Sequence, residues 1–249
     1  MTRPALRVPQ ITAGFWIAKG LSTAIGESTS DSLVHSLHPV PAVLLGFAAF
    51  ALALALQLSM RRYLAWTYWL AVVMVGVFGT MAADVLHVGL HVPYIASAAL
   101  YAVALAAVFA IWQHYERTLS IHSIDTFRRE IFYWAAVVTT FALGTAVGDL
   151  TAITFHLGYI GSVAFFAAII VIPAAGFRWF RWNPIFTFWF AYVVTRPLGA
   201  SIADWVGKPK SAHGLGVGAG TVSLTLAAVM LVVVAYLAIT RADVQPEPA

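Results

Sequence analysis

Apolar positions fill this chain in eight blocks of membrane-crossing length. They fall at about 9–31, 40–59, 64–86, 93–113, 130–150, 158–177, 184–205 and 216–239. A helix needs about 20 residues to cross the hydrocarbon core of a bilayer. Polar residues gather in the short connections, and among these only 114–129 has room for structure of its own. The pattern predicts eight transmembrane helices. The first block is interrupted by KGLSTAIGESTSD at 19–31, which carries a lysine, a glutamate and an aspartate. Each is expensive at bilayer depth and needs a partner inside the protein.

The odd-numbered blocks share a signature. FW at 15–16, YW at 68–69, YW at 133–134 and FW at 188–189 each open one. Ten residues after Trp16, Trp69, Trp134 and Trp189 come Gly26, Gly79, Gly144 and Gly199. Fifteen residues after them come Asp31, Asp84, Asp149 and Asp204. Self-similarity at a fixed period marks a repeat architecture. The repeats run over about 8–60, 64–114, 128–178 and 184–240, within a single transmembrane domain spanning 1–249. Each holds two spans, so successive repeats are parallel about an axis along the membrane normal. The expected fold is therefore all-α: a polytopic membrane helix bundle of eight spans, arranged as four parallel two-helix repeats around a pseudo-symmetry axis. The odd helices should surround the axis. The even helices carry no charge between their ends and should face lipid. The tail at 241–249 reads as disordered.

Composition agrees with a membrane protein: 61% of residues are hydrophobic, 10% are charged and the mean hydropathy is +0.86. No cysteine is present, which excludes disulfides and thiolate-held metals. The basic residues lie in short clusters between apolar runs, so nucleic acid is not an expected partner. Arg3, Arg7, Arg61, Arg62, Arg117, Arg128, Arg129, Arg178, Arg181 and Arg241 fall on one side of the spans, against Lys208 and Lys210 on the other. The positive-inside rule then places both termini in the cytoplasm, with an uncleaved first helix and no signal peptide. Arg128 and Arg129 read as such anchors, and the SIHSID string beside them as a candidate gate. The four repeat tryptophans read as an aromatic belt at the inner interface.

The four Trp–Gly–Asp repeats, together with KGLSTAIGESTSD, TLSIHSIDTFRREIFYW at 118–134, FALGTAVGDL at 141–150 and TRPLGASIAD at 195–204, resemble the bacterial "uncharacterized membrane-anchored protein" family. That family is built from four tandem two-span repeats of unknown function with a marked tryptophan. The resemblance covers about Val8 to Thr240. It implies a multi-pass protein of the bacterial cytoplasmic (inner) membrane and brings no settled function.

Helical spacing of four residues gives one stripe per odd helix. The stripes are Lys19, Thr23, Glu27, Asp31; Val72, Gly76, Thr80, Asp84; Val137, Phe141, Thr145, Asp149; and Tyr192, Arg196, Ala200, Asp204. Glu27 and the four aspartates outnumber Lys19 and Arg196. Surplus carboxylate among neutral threonine oxygens suits a cation or transferable protons. The candidate path is Lys19, Thr23, Glu27, Asp31, Thr80, Asp84, Thr145, Asp149, Arg196 and Asp204. A plainer reading has the aspartates capping the loops that follow, the glycines permitting close helix contact, and Lys19 and Arg196 acting as counter-ions between spans 1 and 7. Pro197, inside span 7, is expected to kink it, either at a binding site or for packing alone. His35, His38, His87, His91 and His156 lie on the outer side and are candidate metal ligands; in the fourth repeat Ser211 and His213 stand near the equivalent place.

The expectation is a secondary transporter, of a divalent metal or another cation coupled to protons. No Walker A, GxSxG or HExxH string is present, so no enzyme and no cofactor is expected. A structural or sensory protein with a paired charge network is the alternative, and an intramembrane enzyme a remoter one. Expected partners are the lipid bilayer and a small ion or small-molecule substrate, with a homo-oligomer left open. A transporter requires water to reach Glu27, whereas a structural protein requires its charges paired and dry.

Overall fold

A computed structural model describes residues 6–245 of the chain, and Arg3 and residues 246–249 lie outside the described residues. Among the described residues there are eight long α-helices and no strand. They are α1 (Ala13–Ser36), α2 (Pro39–Ser59), α3 (Ala65–Asp84), α4 (Tyr94–Glu116), α5 (Phe127–Asp149), α6 (Gly158–Phe180), α7 (Pro184–Gly207) and α8 (Ala219–Thr240). Their starts follow from local chemistry. The side chains of Thr12, Thr126 and Asn183 accept the free N–H groups of α1, α5 and α7, and Pro39 and Pro184 open α2 and α7. Three even helices end on an arginine in the left-handed conformation: Arg117 (φ 59°), Arg181 (φ 53°) and Arg241 (φ 53°). Their positive charge complements the helix C-terminus.

Seven helices are long and apolar enough to cross a membrane, which makes this a multi-pass membrane protein. The exception by composition is α1, yet it stands among the others as an equal. α1 packs on α3, α3 on α5, α5 on α7 and α7 on α1, closing a ring of the four odd helices. Each even helix lies outside and packs chiefly on the odd helix of the next repeat: α2 on α3, α4 on α5, α6 on α7 and α8 back on α1. About a fifth of each even helix is buried, against more than half of α3, α5 and α7. The inner ring and outer layer expected from the charge pattern are thus present.

The repeat signature builds the ring. Ring centroids lie 5.7 Å apart for Phe15–Trp69, 5.6 Å for Tyr68–Trp134, 6.2 Å for Tyr133–Trp189 and 5.9 Å for Phe188–Trp16. The aromatic before each tryptophan therefore packs on the tryptophan of the next repeat, and the fourth closes on the first. Trp69, Trp134 and Trp189 are buried. The interfacial belt is thereby corrected: these side chains cement neighbouring helices, because each meets the preceding repeat's aromatic instead of lipid. The glycines follow the same rotation. A Cβ on Gly26 would meet the backbone of Gly76, on Gly79 the side chain of Phe141, on Gly144 those of Arg196 and Pro197, and on Gly199 that of Thr23. Pro197 leaves α7 continuous and fills the space that Gly144 vacates.

The described segments before α1 and after α8, residues 6–12 and 241–245, lie on one side of the bundle, where they cover the end of the ring. Gln10 N–H donates to the Asp243 carbonyl at 2.8 Å, and the Gln245 amide donates to the carbonyls of Val8 and Pro9. The Arg7 N–H bonds to Ile124 O in the central loop, where Ile121 and Ile124 are buried. Arg7 also pairs with the buried Glu130 at 2.6 Å, and Gln57 donates to the same carboxylate at 3.0 Å. The expectation of a disordered tail is corrected for 241–245: Asp243 is buried and accepts a hydrogen bond from the Tyr63 hydroxyl. Burial and the Asp243 carboxylate both hold the Tyr63 phenol above its ordinary range, so it stays neutral and donates. Asp243→Ala is expected to cost about 1–3 kcal/mol by stranding that hydroxyl. Thermal unfolding and protease cutting near residue 241 would both register the change. Unaltered values would mean that the tail contributes nothing to closing this face.

Candidate functional site

The four stripes face the axis of the ring and form layers. From the termini side outward they are Phe15, Tyr68, Tyr133 and Phe188; then Lys19, Val72, Val137 and Tyr192; then Thr23, Gly76, Phe141 and Arg196; then Glu27, Thr80, Thr145 and Ala200; and at the distal end the four aspartates. Most of these residues are buried, because each odd helix turns this face towards the other three.

Arg196 is the hub. One guanidinium nitrogen, Nη1, donates to the Thr23 carbonyl at 2.8 Å. Nη2 reaches Glu27 Oε2 at 2.9 Å, Thr145 Oγ1 at 2.8 Å and Thr80 Oγ1. A single side chain from α7 thus bonds to α1, α3 and α5. The threonine hydroxyls donate to their own helix at the Gly76 and Phe141 carbonyls, which turns their lone pairs towards the arginine. Arg196 is fully buried and Glu27 is 5% exposed, so the ion pair is dry. A guanidinium cannot give up its proton in a protein. Its charge must therefore be met by these partners.

Lys19 departs from its expected role. No carboxylate pairs with it, and its Nζ has no hydrogen-bond partner among the described residues. The ammonium lies 3.8 Å from the ring centroid of Phe141 and 3.9 Å from that of Tyr192. Cation–π attraction to α5 and α7 takes the place of an ion pair, because the aromatic rings are the groups that its own layer and the next one offer. Of the two, Arg196 takes the counter-ion role between spans 1 and 7.

At the distal mouth Lys208, just beyond α7, binds Asp31 and lies 3.6 Å from Asp204. Burial disfavours its ammonium, but Asp204 and Asp31 outweigh burial and hold the amine above its ordinary range. Sequence reasoning counted Lys208 as an outer-side charge and missed this role, although its spacing of four from Asp204 was the available signal. Asp84 and Asp149 are half-buried, with no ion pair among the described residues. Immediately after each, the helix widens into a π-turn, Val85–Gly89 and Leu150–Thr154. Such turns recur at functional sites. α1 and α7 lack them, so among the described residues repeats 2 and 3 present unpaired carboxyl groups where repeats 1 and 4 share a lysine.

The termini side is closed. The Tyr68 and Tyr133 hydroxyls bond to each other, and Phe15 and Phe188 pack 5.9 Å apart. A crevice of about 380 Å³ among α1, α7 and α8 and a groove of about 860 Å³ between α4 and α7 both lie outside the ring, and Glu27 lines neither.

The candidate metal ligands do not assemble. No group of three His, Asp or Glu side chains able to hold a metal occurs among the described residues. His87 packs on Tyr94 and approaches Ser97, and His35 bonds to the Asp31 carbonyl of its own helix. His38 precedes α2. His91 (φ 54°) and His156 (φ 56°) hold left-handed turns, as does His213 (φ 62°). Histidine is enriched in that conformation. This accounts for His91 and His156, whereas His38, at the same place in the first repeat, has an extended backbone (φ −62°).

No curated protein and no solved structure matches the chain. A family profile described as "Repeat of Unknown Function (DUF347)" matches residues 67–118, 132–181 and 187–243. These are the second, third and fourth repeats; the first, with its polar α1, lies outside the match while occupying the equivalent place in the ring. The protein belongs to the family built from this repeat of unknown function.

Proposed function

We propose that the protein is a secondary transporter that carries a small cation, coupled to protons, across a bacterial cytoplasmic membrane with both termini in the cytoplasm. The observation that carries this reading is the polarity gradient along the axis. The unpaired carboxylates of Asp84 and Asp149 stand at the distal mouth, Glu27 lies one layer deeper, and an aromatic floor closes the termini side. A cation drawn to the mouth meets carboxylate and threonine oxygens in succession. Glu27 is the switch. A proton or cation on its carboxylate removes the partner of Arg196, which keeps the Thr23, Thr80 and Thr145 oxygens as alternatives. Loss of that ion pair frees α1 to shift against α7, the kind of movement alternating access needs.

Two observations favour a purely structural role: the Arg196–Glu27 pair is buried and lines neither cavity, and Arg196 is bonded to all three other odd helices, as a lock would be. Flux in liposomes separates the two readings. Wild-type protein is expected to move protons or a monovalent or divalent cation above background, and Glu27→Gln to lower that flux at least about tenfold while remaining folded. Background flux for every ion tried would favour the lock. Flux indifferent to the substitution would remove Glu27 from the path.

A further inference from the structure

The outer layer departs from the rotation of the ring at one place. α8 packs on α1 and also reaches α3. In the corresponding position α4 packs on α5 and meets α7 through aromatic rings beside a groove of about 860 Å³. At its floor the Trp189 ring meets those of Phe109 and Trp112, 4.9 and 5.8 Å away.

The lining is sorted along the membrane normal. At the termini end stand Arg117, which ends α4, and Asn183, which caps α7, with Gln113 one turn deeper. Below them the walls are apolar: Phe109, Phe186, Phe190 and Val193. Val193 lies ten residues beyond Asn183, about 15 Å along the helix. That equals half of the roughly 30 Å hydrocarbon core, the depth of one leaflet. Arg117 differs from its neighbours in charge balance. Glu116 is bound by Arg128 and Arg129, and Arg129 also holds Asp125. Arg117 is exposed and has no ion pair among the described residues. Arg181, in the turn two residues before Asn183, adds a second cation on the same side.

We infer that this groove is a binding site for one phospholipid with an anionic headgroup from the leaflet on the termini side. The phosphate lies at Arg117 and an acyl chain runs along Phe109, Phe190 and Val193. Apolar depth matching a leaflet selects a lipid over a soluble anion, and the unpaired guanidinium at its end selects a negative headgroup. The lipid fills the space left between α4 and α7 beside the contacts of Phe109 and Trp112 with Trp189.

The test uses the full chain, purified in detergent and stripped of lipid. Phosphatidylglycerol, phosphatidylcholine or glycerol phosphate is added, and retained lipid is counted by native mass spectrometry. One phosphatidylglycerol per chain is expected, held in preference to phosphatidylcholine and raising the unfolding temperature. Arg117→Gln should weaken its retention about fivefold, the effect of one basic residue at an anionic surface. Arg117→Lys should restore much of it. Val193→Trp should reduce retention by filling the deep end. Equal retention of both lipids, indifference to Arg117→Gln, or equal stabilisation by glycerol phosphate alone would overturn the assignment.

Discussion

The Arg196→Met protein is expected to lose about 3–5 kcal/mol of stability, the cost of stranding a buried charge by removing its partner. The stranded group is Glu27, which is 5% exposed and has no cation but Arg196 in bonding reach. Three further acceptors lose their donor at once: the Thr23 carbonyl and the Thr80 and Thr145 hydroxyls. Glu27→Gln should cost less, because the amide can still accept from the guanidinium and the threonines are untouched. In Glu27→Gln/Arg196→Met no charge remains at this level of the axis. The double variant is therefore expected to be more stable than Arg196→Met alone. Denaturant unfolding in mixed micelles measures the cycle, with a coupling of about 1–3 kcal/mol between the two positions. Simple addition of the two losses would refute Arg196 as the hub.

Gly26→Ala is the second large effect. Its new Cβ would stand 2.7 Å from the Gly76 carbonyl carbon and 2.8 Å from its Cα. Backbone cannot swing aside as a side chain can, so α1 and α3 must part, at about 1–3 kcal/mol. Gly20 is the control on the same helix, since nothing lies within 4 Å of its Cβ position. Gly20→Ala should gain up to about 1 kcal/mol from helix propensity. Opposite signs for one substitution two turns apart would show that the repeat glycine is there for closeness. Equal effects would remove the close approach as its reason.

Local regularity made most of the architecture legible in the sequence. Apolar block length gave the eight helices, and four-residue spacing gave the faces that meet at the axis. The Trp–Gly–Asp period gave the four-part ring. Partner choice was less legible. Lys19 looked like a counter-ion because its charge is visible, whereas the rings of Phe141 and Tyr192 that receive it lie on other helices. The tryptophans looked interfacial because they open their spans; only the rotation that sets Phe15 on Trp69 shows their purpose. Arg7–Glu130 and Tyr63–Asp243 join residues 123 and 180 positions apart, and no periodicity reports such pairs. The histidines misled because they recur without converging: His91 and His156 hold left-handed turns, whereas His38 enters α2 with an extended backbone.

The polar α1 has a consequence for how the protein is made. Lys19 and Glu27 each resist insertion by at least about 2.5–3.5 kcal/mol. The residues that receive them, Arg196, Phe141 and Tyr192, are synthesised much later, on the fifth and seventh helices. At a translation rate of about 5–20 residues per second, the first helix waits of the order of ten to thirty seconds for them. During that interval it must shelter at the insertion machinery or lie along the membrane surface. The ring then closes from its last repeat back to its first, and the least apolar helix of the chain is held in the bilayer by its latest-born partners.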